Sequence, residues 1–93
     1  MTPDPGTVVH NPSAGRFEIV QDGLLCELVY HIQGKKILFT HTGVPPALEG
    51  RGLGSRLVRA GLDYARAEGL KVVPLCPFVG SYLQKHPEYQ DMI

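Results

Sequence analysis

Between Leu48 and Val58 the sequence reads LEGRGLGSRLV, with glycine at 50, 52 and 54, and it then runs unbroken into an apolar, helix-forming pattern. Pro45 and Pro46 come just before it, and proline lacks the backbone donor that a β-ladder needs, so the preceding strand must stop there. From Gly52 to Glu68 the residues Leu53, Leu57, Ala60, Gly61 and Tyr64 share one helical face, widened by Val58, Leu62 and Ala65. Arg56, Arg59, Asp63 and Arg66 point away from it. Gly69 follows as a helix-ending residue. The chain is thereby committed to a strand, a glycine-rich turn and a long amphipathic helix in that order.

The flanking segments have strand period. RFEIV (16–20) alternates, QDG supplies an Asp-Gly hairpin turn, and LLCELVYHI (24–32) sets Leu24, Cys26, Leu28, Tyr30 and Ile32 on one face with Glu27 and His31 on the other. QGK (33–35) turns the chain again. KILFTHTGV (36–44) is a third strand, with Ile37, Phe39 and His41 opposite Leu38, Thr40 and Thr42. LKVVPLC (70–76) is a short strand to be buried against the helix. Pro77 suits the first turn of a second helix, 77–86, whose apolar face is Phe78, Val79, Tyr82 and Leu83. Residues 1–15 hold three prolines and read as a loose arm with a short strand at 7–10, and 87–93 reads as a coil tail. The order β-β-β-α-β-α has neither repeat nor linker. It predicts a single α/β (α+β) domain over 1–93, a mixed and mostly antiparallel sheet with two helices packed on it.

Composition narrows the partners. Nine basic residues cancel nine acidic ones, so charge gives no case for nucleic acid or an anionic membrane surface. No apolar run approaches the ~20 residues that span a bilayer, and MTPDPGTVVH has neither the basic nor the apolar region of a signal peptide, which makes the cytoplasm the default expectation. Cys26 and Cys76 match no disulfide framework or zinc spacing, so no structural metal is expected.

The glycines have a physical use. A helix N-terminus presents about four backbone N–H groups without intrahelical partners and roughly half a positive charge, and glycines before it let an anion approach the backbone closely. EGRGLGS is thus built like a phosphate cradle, with Arg51 and Ser55 able to add donors. Three glycines could equally serve unusual backbone angles alone. The spacing is not a dinucleotide fingerprint, because Ser55 stands where the third glycine belongs, and it lacks the lysine of a P-loop.

These residues resemble the GCN5-related N-acetyltransferases, and within them a small stand-alone subfamily. The family signature is Gln or Arg, two residues, Gly, one residue, then Gly or Ala, and here it reads Glu49-Gly50-Arg51-Gly52-Leu53-Gly54. The likeness to the small subfamily runs over HTGVPPALEGRGLGSRLV (41–58) and VVPLCPFVGSYLQKHPEY (72–89) in matching order. The resemblance implies acetyl-coenzyme A as cofactor and small-molecule acyl donor. The amides of Gly50, Arg51, Gly52, Leu53, Gly54 and Ser55 would grip the diphosphate, and the pantetheine arm would lie along the end of strand 36–44 near Val44. Strand 71–76 would splay away to leave a V-shaped gap for the thioester. Glu49 departs from the signature and sets a carboxylate beside that diphosphate.

Acetyl transfer needs a nucleophile near the thioester, donors for the oxyanion and a proton for the departing thiolate. Cys76, at the N-cap of the second helix where the dipole lowers a thiol pKa, is the sharpest candidate, against the alternative of a packing cysteine. Tyr82 is either an aromatic anchor or, by resemblance, the tyrosine that protonates the leaving thiolate. His41 is the one near-neutral titratable side chain on strand 36–44; alternation groups it with Ile37 and Phe39, so it is either a general base or a core histidine. His86 reads as a helix cap and Cys26 as core. Larger relatives carry two acceptor-binding helices where this chain has only QDG. The expected function is therefore an N-acetyltransferase acting on an unidentified amine or protein, the alternatives being a non-catalytic coenzyme A-binding module or a purely structural protein.

Overall fold

In the computed structural model, which describes residues 6–93, the chain forms β1 (Val9–Asn11), β2 (Arg16–Gln21), β3 (Leu24–Gln33) and β4 (Lys36–Gly43). A short 3-10 turn (Pro46–Leu48) leads to α1 (Leu53–Ala67), β5 (Lys71–Pro74), α2 (Pro77–Lys85) and a second 3-10 helix (Pro87–Met92). The sheet order is β1-β2-β3-β4-β5; the first four strands pair antiparallel and β5 pairs parallel to β4. The β2–β3 turn is tight because Asp22 and Gly23 both take positive φ, 54° and 73°, which matches the twist of a two-residue hairpin.

One face of the sheet makes the core. Phe17, Ile19, Cys26, Leu28, Tyr30, Ile37, Phe39 and Val72 pack against Leu57, Val58, Leu62 and Ala65 of α1 and against Val79 and Leu83 of α2. Gly61 lets α1 lie close: a Cβ there would come within 2.9 Å of both Leu28 and Phe39. The opposite face carries Val20, Leu25, His31 and His41, all exposed, and neither helix covers it. Leu24 and Ile32, expected to point inward, lie at the ends of β3 and are 38% and 40% exposed. No helix among the described residues is long and apolar enough to cross a membrane.

Three sequence expectations change. The arm's short strand falls at Val9–Asn11 rather than 7–10, and it pairs with β2 as an edge strand; residues 1–5 of that arm lie outside the described residues. The tail is no coil. Residues Pro87–Met92 form the 3-10 helix, which buries Tyr89 and Met92, three apart as a 3-residue turn requires, and ties down through Tyr89 O–H to Asp63 (2.8 Å) and Arg66 to Asp91 (3.1 Å).

The third change bears on the site. Val29 pairs with His41 while Tyr30 pairs with Phe39, so Thr40 is one residue extra on β4. Such a bulge reverses the alternation beyond it. His41 therefore leaves the company of Ile37 and Phe39 for the uncovered face, where its side chain is 60% exposed, and it is not a core histidine. Thr42 turns inward instead, opposite Leu28.

Candidate cofactor cleft

Strands β4 and β5 are paired only from Lys36–Phe39 and Lys71–Pro74, with a last link from the Cys76 N–H to the Phe39 carbonyl at 2.9 Å. Beyond it β4 runs on to Gly43 unpaired to β5, while Pro77 starts α2. A cleft of about 200 Å³ lies between the end of β4, the glycine turn and the start of α2. Val44, Leu48 and Phe78 form the apolar side of its lining, and Glu49, Gly50, Gly52, Leu53, Gly54 and Ser55 complete it.

The three glycines divide their work. Gly50 and Gly52 take φ of 83° and 74°, the left-handed region that side chains disfavour, and nothing lies within 4 Å of where a Cβ would sit. Gly54 has ordinary helical geometry, but a Cβ there would stand 2.8 Å from the Phe78 ring. Gly52 caps α1 without any side-chain cap, and the first i→i−4 bond is made by the Arg56 N–H to the Gly52 carbonyl at 3.1 Å. The amides of Leu53, Gly54 and Ser55 precede that bond and face the cleft end of the helix, where an anion is stabilised by donors and dipole together. A diphosphate fits this donor set. Arg51 is directed elsewhere, to Asp22 at 3.0 Å, and Arg56 donates to the Gly6 carbonyl. Glu49 is exposed on the rim.

Cys76 is the N-cap residue of α2 and is 7% exposed. Its sulfur lies 3.4 Å from the Thr42 hydroxyl. Burial pushes the thiol pKa up, but the Thr42 hydroxyl and the amides of Val79, Phe78 and Thr42 stabilise the thiolate, and the balance falls below the ordinary value even though no standard capping hydrogen bond closes. Cys26, buried mid-strand without such partners, has its pKa raised by burial. Thr42 and Cys76 each stand two residues from a cleft-lining residue, Val44 and Phe78. The cleft itself brings together the glycine turn, Val44 and Phe78, while Cys76 lies buried behind it against Thr42 and does not line it.

Tyr82 and His41 lie elsewhere. Tyr82 stacks on His86 with ring centroids 3.9 Å apart, and it lines an adjoining groove with Ser81 and Lys85 whose wall, Ser55 and Phe78, is shared with the cleft. Burial raises its phenol pKa. His41 sits on the uncovered face, its Nε2 4.0 Å from the Glu27 carboxylate, both side chains leaning over Gly43. Thr42, Phe78 and Glu27 were not singled out from sequence. Strict alternation turned Thr42 outward, and only the bulge, which leaves no sequence mark, reveals it. Phe78 was assigned to a buried helix face, yet it is 43% exposed beside the glycine turn.

A family model described as GCN5-related N-acetyl-transferase matches residues 16–92. The chain belongs to the GCN5-related N-acetyltransferase family. It is 33% identical over 86 residues to Protein NATD1 of Mus musculus, covering 89% of this chain and 78% of that one, and 31% identical over 91 residues to Protein NATD1 of Danio rerio, covering 92% and 83%. A solution NMR structure of a GCN5-like protein from Staphylococcus aureus superposes with a TM-score of 0.77 at 30% identity, over 97% of this chain and 89% of its own. The expected fold class is thereby met: a GCN5-related mixed sheet with two main helices, here with β1 as a fifth strand. Acetyl-coenzyme A is the donor that membership in this family implies.

Proposed function

We propose that the chain is an N-acetyltransferase that binds acetyl-coenzyme A in the cleft and passes its acetyl group to an amine, with Cys76 at the reacting carbon. The observation that supports this reading is a glycine turn at the start of α1 whose first amides are open to an anion at the cleft, together with a thiol of lowered pKa where β4 and β5 cease to pair. Gly50 to Ser55 hold the diphosphate, and the backbone at Val44 aligns the pantetheine arm. The Cys76 thiolate bonds to the acetyl carbonyl carbon as the carbon–sulfur bond to coenzyme A breaks, and the departing sulfur takes up a proton. The amine then takes the acetyl group from Cys76 and releases its own proton to solvent. Tyr82, kept protonated by burial, is the donor for the departing sulfur once the Phe78 ring turns aside. His41, beside Glu27 on the opposite face of the sheet, takes no part in this step.

A second reading has its own support. The turn between β2 and β3 is only Asp22–Gly23, so nothing there walls an acceptor pocket, as in a coenzyme A-binding module without chemistry. Incubation with acetyl-coenzyme A, following free thiol release and intact protein mass, separates the two. Acetyl transfer predicts steady thiol release or one added acetyl group that Cys76→Ala abolishes, and Tyr82→Phe slows the release. Stoichiometric binding with neither signal contradicts transfer and leaves the module.

A further inference from the structure

We propose that Asp22 sets the affinity of the glycine turn for a diphosphate by holding Arg51 away from it. This rests on the cofactor reading above. Arg51 lies between Gly50 and Gly52, both of which line the cleft, yet its guanidinium points across the molecule to the tip of the β2–β3 hairpin, where Nη1 donates to Asp22 Oδ2 at 3.0 Å. Four charged side chains flank the turn: Glu49, Arg51, Arg56 and, through this pair, Asp22. Arg56 spends its donor on a neutral carbonyl, that of Gly6, and keeps its charge. Arg51 does not, because a carboxylate cancels it. The cradle therefore meets an anion with Glu49 on its lining and the Arg51 charge held by Asp22.

The pair is built to be exchanged. Its side chains are 51% and 57% exposed, and an exposed ion pair contributes little, so a diphosphate carrying more charge than Asp22 can take Arg51 from it. Asp22 is also the one non-glycine among the described residues with positive φ, 54°, a conformation asparagine tolerates as well, and Asn-Gly makes the same hairpin turn. Asp22→Asn thus removes the charge and keeps the turn.

The test is calorimetric titration of coenzyme A, and separately of inorganic pyrophosphate, into wild type, Asp22→Asn, Arg51→Ala and the double variant, with thermal melts to confirm folding. At low ionic strength Asp22→Asn binds about two- to fivefold tighter than wild type. The gain disappears in the Arg51→Ala background and shrinks at high salt, as an exposed charge effect must. Equal affinities in wild type and Asp22→Asn overturn the restraint. So does a gain that survives Arg51→Ala, since Asp22 would then act only as a repelling charge. A folded wild type that binds neither ligand contradicts the cofactor reading and the restraint with it, whereas a wild type that binds coenzyme A with all variants equal contradicts the restraint alone.

Discussion

At Cys76 two opposing effects meet, and their balance is measurable. Burial disfavours the thiolate, while the Thr42 hydroxyl and the first amides of α2 favour it, and the net pKa lies below that of an ordinary thiol. Because the thiolate is the reactive form, the rate of Cys76 modification by a small alkylating agent should rise with pH and level off with a midpoint below that of an ordinary thiol, read by mass spectrometry of the peptide. Cys26, raised by burial alone, should lag behind it at every pH. Replacing Thr42 by Val should move the Cys76 midpoint upward; an unmoved midpoint would remove Thr42 from the account. This residue pair was half legible in the sequence. Proline at 77 marks Cys76 as an N-cap. The Thr42 contact depends on one extra residue in β4 that alternation cannot show.

The elements follow from pattern where a local rule decides them and drift where tertiary contact does. The Asp-Gly turn, the stop at Pro45–Pro46 and the periodicity of α1 place β2, β3, β4 and α1 within a residue or two of their observed ends. Pro87–Met92 escaped because Tyr89 and Met92 among polar neighbours carry little signal until α1 supplies Asp63 to accept from the Tyr89 hydroxyl and Arg66 to donate to the Glu88 carbonyl. Helix α1 reaches the sheet through Gly61, whose missing Cβ is matched by fully buried Leu28 and Phe39 at 2.9 Å. Those side chains have nowhere to move. Gly61→Ala should therefore cost about 1–3 kcal/mol by overpacking, against the ~1 kcal/mol that alanine gains in helix propensity. The expected net loss in a denaturant melt is therefore up to about 2 kcal/mol, and a variant more stable than wild type would mean that the helix lifts without penalty.

Across the whole molecule, one sheet face is packed by both helices and the other is left open, while the cleft lies at the end of β4 beside the start of α1. The cleft end was legible in LEGRGLGSRLV, since its glycines, its prolines and the helix behind them obey local chemistry. The open face was legible only as the absence of anything between β2 and β3, and the placement of His41 over Glu27 on that face came from the bulge. The account stands on main-chain amides at the start of α1 receiving a diphosphate. Its most direct measurement is a titration of isotope-labelled protein with coenzyme A followed by amide NMR shifts. The expected result is saturable shifts centred on Gly50 to Ser55 and extending to Val44 and Cys76. Shifts confined to the open face of the sheet, or none at all in a folded sample, would contradict it.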